Sequence, residues 1–174
     1  MGREHGGTVT SYTTLTHQLI GTLLLVTDGE SLVRSSYIDS KLAPDIGKDW
    51  KRDPKQPVLM EAISQLKQYL SGKRVTLTVP LRIEGTEFQK KVYDLILQIP
   101  LGTVTTYMEI GEKLKKPLAA RSVGAAIGKN PLLIFIPDHR VINRSGSVAG
   151  FAGKWNRKPG LLDLEKRTAR RARR

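Results

Sequence analysis

The chain has 174 residues, of which 39% are hydrophobic and 26% charged, enough apolar material for a core and too much for wholesale disorder. Its 29 Lys and Arg against 16 Asp and Glu leave a net charge of +13, which favours a polyanionic partner, nucleic acid ahead of an anionic membrane surface. The absence of cysteine excludes disulfides, thiolate catalysis and cysteine-ligated metal, and with only His5, His17 and His139 neither a metal nor a cofactor is expected.

The opening MGREHGGTVTSY lacks the apolar core of a secretory leader, and the run Leu19–Val26 is too short to span a bilayer. An intracellular protein (cytoplasm and nucleoid, or nucleus) with no membrane partner is the expectation. Residues 8–38 read as strands, with Asp28-Gly29 as a hairpin turn between two apolar runs. Residues 39–57, rich in Pro, Asp and Lys, read as a loop. Leu59, Ile63, Leu66 and Leu70 recur at helical spacing, and Gly72 ends that helix. VTLTVPL, 75–81, alternates like a strand, with Pro80 favouring an edge.

After Gly85 the pattern becomes helical. Thr86 is placed to cap a helix carrying Phe88, Val92, Leu95 and Ile96, which ends before Pro100-Leu101-Gly102. A second helix is expected over Thr106–Leu114. After the turn KKPL, a third over 119–128, AARSVGAAIG, has small residues that permit close approach to a partner. Two helices joined by a short turn, the second bearing Arg121, are a helix-turn-helix pattern. The run Leu132–Ile136 reads as a buried strand, and at its end FIPDHRVI sets Asp138, His139 and Arg140 side by side. From residue 154 onward nine Lys or Arg face only Asp163 and Glu165, and LLDLEKRTARRARR passes from helical spacing into a basic tail suited to phosphates.

Several of these segments together resemble the O6-alkylguanine-DNA alkyltransferases. EFQKKVYDLILQIPLGTVTTYMEI resembles the family's first helix, its Pro-x-Gly turn and the start of its helix-turn-helix. AARSVGAAIGKNPLLIFIP resembles the recognition helix, Asn hinge and strand, and HRVI, SGSVAGFAG and LLDLE follow in order. The resemblance covers about residues 80–166, while residues 1–79 fit the family's smaller N-terminal domain in element pattern only. It implies an α/β N-terminal domain with a small β-sheet over 1–80. A mainly α, helix-turn-helix (winged-helix-like) DNA-binding domain follows over 81–166, with the basic tail over 167–174.

The resemblance also implies roles. Arg121 matches an arginine finger that enters the base stack as the target nucleotide rotates out. Ala119, Ser122, Gly124 and Lys129 share its DNA-facing segment. Tyr107 matches a tyrosine that turns the nucleotide and donates a proton, and Asn130 matches the hinge. Phe151 matches an aromatic wall of the base pocket, with Val148, Ala152 and Gly153 in the loop over the base. His139 matches a base acting through water, Glu165 the residue that orients it, and Arg140 a structural bridge.

The departure is Asp138, which stands where the family's Pro-Cys-His-Arg motif has its reactive cysteine. This places the chain beside the cysteine-less, alkyltransferase-like members, which bind a lesion without removing it. The expected partner is double-stranded DNA with a damaged or modified base, handed on to nucleotide excision repair proteins by a monomeric binder. The alternative is hydrolytic: Asp138 and His139 would serve a glycosylase-like cleavage, or an ester formed on Asp138 would be hydrolysed in a dealkylase. Asp138 beside His139 is either held ionised by an ion pair or protonated through burial.

Overall fold

The computed structural model describes residues 9–41, 43–146 and 157–174. Strands β1 (Ser11–His17), β2 (Gly21–Thr27) and β3 (Leu32–Tyr37) form an antiparallel meander. The Asp28-Gly29 turn closes the second hairpin. The Asp28 carboxylate accepts the N–H groups of Glu30 and Ser31 at 3.0 and 2.8 Å, and Gly29 adopts φ +103°. Strand β2 is buried on both faces, as its unbroken run Leu23–Val26 dictates. The stretch 39–57, expected as loop throughout, holds a two-residue strand, β4 (Lys51–Arg52). It pairs parallel to β1 and completes the order β3-β2-β1-β4.

Helix α1 (Pro57–Leu70) begins with a proline, whose missing N–H costs nothing in a first turn, and the Gln56 side chain caps Leu59 N–H at 3.0 Å. Leu59, Ala62, Leu66, Tyr69 and Leu70 are buried on its inner face. The strand expected over 75–81 is not formed. Thr78 N–H donates to the Gln65 side chain at 2.7 Å instead of a neighbouring strand, and Pro80 has no N–H to give. Only Leu81 bridges, to Leu32.

In the second half, α2 (Glu87–Leu97) and α3 (Tyr107–Lys113) both start in capping boxes, Thr86 with Gln89 and Thr106 with Glu109. Helix α4 (Ala120–Gly128) starts at Ala119 with no side-chain cap. Short β5 (Thr105–Thr106) pairs parallel with β6 (Val141–Ile142). The run Leu132–Ile136 is buried, but it is a tight turn with isolated bridges rather than the expected strand. Ile134 takes φ +74°, and Ile136 N–H folds back onto Leu132 C=O at 2.8 Å. Helix α5 (Arg157–Ala172) runs through the basic segment, so the tail expected from residue 167 is helical as far as Ala172. Buried Thr168 explains the extension, because its inward stripe continues past Glu165.

One hydrophobic cluster joins the halves, from Leu23, Leu25 and Tyr69 to Tyr93, Ile96, Leu132, Ile136 and Leu161. Ser35 of β3 stitches them: its N–H donates to Pro131 C=O at 2.9 Å, its hydroxyl donates to Leu133 C=O at 2.8 Å, and its C=O accepts Leu133 N–H at 3.0 Å.

Candidate functional site

The segment 137–142 leaves the Leu132–Ile136 turn as a single 3₁₀ turn, Asp138–Arg140, before entering β6. Asn130 sets its position. The Asn130 side chain accepts Leu132 N–H at 2.9 Å and donates to Ile136 C=O at 3.0 Å, while a further hydrogen bond from it favours the ionised form of Asp138. A β-branched residue in the left-handed region, Ile134, is strained backbone four residues before Asp138. Its neighbours' bonds to Ser35 hold it there.

Glu165 is the hub behind this turn, with no solvent exposure. Its carboxylate accepts Tyr69 Oη–H at 2.6 Å, lies 2.7 Å from His139 Nε2, and takes Arg140 Nε and Nη2 each at 2.9 Å. Gly102 N–H adds a fifth contact at 3.3 Å. Burial opposes the charge, but His139 and Arg140 outweigh it and hold the Glu165 carboxyl down at about 2. Arg140 also donates from Nη1 to Ile99 C=O. The arrangement fixes the imidazole from one side and ties α1, the Pro100–Gly102 turn and α5 to it.

Asp138 is enclosed by protein on most sides yet keeps a partly exposed face. Burial raises its pKa above the ordinary carboxylate value, against the pull of Asn130, His139 and Lys158. Burial raises the pKa of Tyr37, Tyr93 and Tyr107, and the charge of Asp138 adds to the rise in each. Tyr93 is pushed up to about 12, with burial the larger cause. Lys158 is itself buried, donates to Val141 C=O, and has its pKa lowered by desolvation.

An open groove of about 370 Å³ lies between α3, α4 and the residues after β6, lined by Tyr107, Met108, Ala120, Gly124, Asn143 and Arg144. Gly124 of α4 lies beside the Tyr107 ring, where an added Cβ would make an ordinary van der Waals contact at 3.8 Å. The outer face of α4 exposes Arg121, Ser122, Ala125 and Lys129, with Ala119 half-buried at its start. The structure therefore gathers the candidates into two groups. Asp138, His139, Arg140, Asn130 and Glu165 surround the buried turn, whereas Tyr107 and Gly124 line the groove and Arg121, Ser122 and Lys129 face outward on α4. Asp138 is not among the described residues lining that groove. Val148, Phe151, Ala152 and Gly153 lie outside the described residues.

Sequence reasoning missed Tyr69, Lys158, Arg157, Met108, Asn143 and Arg144. Tyr69 falls on the inner stripe of α1, and a buried phenol needs a partner. Arg157 and Lys158 precede Leu161, Leu162, Glu165 and Thr168 at helical spacing, so the inward stripe of α5 contains charges. Asn143 and Arg144 follow no period.

The fold and site define a helix-turn-helix protein whose buried Asp-His-Arg turn is locked by a carboxylate from its last helix. Residues 87–167 match the model for the 6-O-methylguanine DNA methyltransferase DNA-binding domain, and residues 11–83 match that family's ribonuclease-like domain. The chain belongs to the O6-methylguanine-DNA methyltransferase family, a family of DNA-binding repair proteins. It is 40% identical to the methylated-DNA--protein-cysteine methyltransferase of Mycobacterium leprae over 84% of this chain and 87% of that one. The inducible protein of that name from Bacillus subtilis is 48% identical over 60% of this chain, and the match spans 59% of the relative. A crystal structure of Mycobacterium tuberculosis OGT in complex with DNA superposes with a TM-score of 0.82 at 37% identity, covering 91% of this chain and 94% of that one. The relatives' names specify a cysteine acceptor, and this chain has no cysteine.

Proposed function

We propose that the protein binds duplex DNA through the minor groove at α4, rotates a modified base such as an O6-alkylguanine toward Asp138, and holds it without transferring the alkyl group to itself. The observation that carries this reading is an acid at position 138 in a chain without cysteine, backed by the Glu165–His139–Arg140–Tyr69 lock. A carboxylate is a poor nucleophile toward an alkyl carbon, and the upward shift of the Asp138 pKa makes it less available as the anion. A carboxyl suits recognition, because it accepts hydrogen bonds when ionised and also donates one when protonated. His139 Nε2 is held by Glu165, which fixes the orientation of the imidazole.

The roles proposed for Arg121 as the stacking finger, Tyr107 as the turning residue and Asn130 as the hinge fit their placement on the exposed α4 face, in the groove and beneath the 3₁₀ turn. The net charge of +13 supports a phosphate-rich partner, and the described residues hold no helix long and apolar enough to cross a membrane. As part of the same proposal, the protein acts inside the cell as a monomer, and the held lesion is passed to another repair system, nucleotide excision being the candidate.

Incubation with an O6-alkylguanine duplex, followed by analysis of both strands, tests this directly. Unaltered DNA recovered from a stable complex is expected. Restored guanine would establish dealkylation instead, and an abasic site would establish glycosylase-like cleavage; loss of either product in Asp138→Asn would assign it to that carboxyl.

A further inference from the structure

Leu118, in the turn between α3 and α4, is 97% exposed, whereas the other exposed large hydrophobics among the described residues lie between 36% and 59%. A solvated leucine alone is ordinary. This one is carried on a turn with little slack. Lys115 takes φ +57° and donates its N–H to Glu112 C=O at 2.8 Å; Lys116 N–H donates to Gly111 C=O and Ala119 N–H to Lys116 C=O, both at 2.9 Å. Pro117 fixes the backbone immediately before Leu118. The Lys116 ammonium is anchored 5.5 Å over the Phe88 ring. The side chain of Leu118 belongs neither to the core cluster nor to the residues packed on it.

The surroundings specify the occupant. Exposed Lys113, Lys115, Lys116 and Arg121 flank Leu118. The start of α4, immediately beyond it, has no side-chain acceptor for its first N–H groups. A single aliphatic tip among cations is too small an apolar area for a protein interface and carries the wrong charge for a basic partner. It matches a DNA minor groove, whose deoxyribose walls are apolar and whose rims are phosphates.

We propose that Leu118 is a minor-groove contact. It packs on the deoxyribose wall beside Arg121 while Lys115 and Lys116 meet the flanking phosphates. This rests on the duplex-binding reading above and extends it to a contact made outside the base pocket, equally on damaged and undamaged DNA.

The test measures binding of the full chain to an undamaged duplex and an O6-alkylguanine duplex of the same sequence by fluorescence anisotropy across a salt series. Leu118→Ser removes no core contact, so its melting midpoint should match the wild type. Its affinity for both duplexes should fall about tenfold, the loss expected for one aliphatic contact. The slope of log affinity against log salt should stay unchanged, because no ion pair is lost. Leu118→Met should keep wild-type affinity, and the double variant Lys115→Gln, Lys116→Gln should flatten the slope. Wild-type affinity in Leu118→Ser, a loss confined to the damaged duplex, or a flattened slope in Leu118→Ser would each overturn the proposal. A wild-type chain that holds neither duplex would instead overturn the duplex-binding reading, whatever Leu118→Ser does.

Discussion

Glu165 shows how one buried residue organises the site. It has no contact with water and five donors or donor-capable groups around it, and its carboxyl is held down at about 2 from an ordinary 4.5. A depressed carboxyl pKa contributes stability that is fully present above the unfolded value, near 4.5, and is lost as pH falls through the folded value near 2. The midpoint of thermal unfolding should therefore drop steeply between those two pH values. Glu165→Gln should remove that part of the dependence. It should also cost about 3 to 5 kcal/mol at neutral pH, because Arg140 would be left buried without its counter-charge. For a chain of this size that is a fall of roughly 10 °C in the midpoint, measurable by calorimetry. An unchanged midpoint would mean that Arg140 finds another partner.

At the scale of elements, the Pro100-Leu101-Gly102 turn and α5 depend on each other. Gly102 has φ +80°, and a Cβ placed on it would stand 2.8 Å from the Ala169 Cβ and 3.3 Å from Glu165 C=O. Gly102→Ala combines left-handed backbone strain with a clash against the Ala169 Cβ of α5, so a loss of about 2 kcal/mol or more is expected in denaturant unfolding. The clash would push α5 away and lengthen the Glu165 contacts, so a nativelike pH profile in Gly102→Ala would contradict this coupling.

The elements that sequence patterns specified well are those whose signals are local. The cap at Thr86, the Asp28-Gly29 turn and the helical stripe of α1 all rest on residues within one turn of each other. Segments 75–81 and 132–136 deceived because alternation and apolar runs report burial and not which neighbour takes each N–H. Gln65 and Asn130, distant in sequence or pointing back across a turn, took the bonds a strand would have used. At the site, His139, Arg140 and Glu165 were marked by motif order. Tyr69 and Lys158 were not, because what distinguishes them is a partner contributed by another element.

At the scale of the molecule, two sequence units share one interior. The cluster running from Leu25 and Tyr69 to Ile96 and Leu161 crosses between them. Polar contacts reinforce it: Ser35 pairs with the 131–133 segment, and Tyr69 reaches Glu165. Arg157 of α5 spans the same boundary. Its Nη2 meets both oxygens of Asp39 at 2.7 and 2.8 Å, its Nε donates to Ile20 C=O at 2.8 Å, and its guanidinium lies 3.9 Å from the Tyr37 ring centre. Neither half can unfold alone without exposing the apolar surface of the other and orphaning these buried groups. Thermal unfolding should therefore be one transition, with equal calorimetric and van't Hoff enthalpies and coincident loss of near- and far-ultraviolet circular dichroism. Arg157→Ala should lower that single midpoint without splitting it, since the shared apolar core remains. Two resolved transitions in the wild type would show that the halves are independent domains, and the lock behind Asp138 would then open whenever the N-terminal half melts.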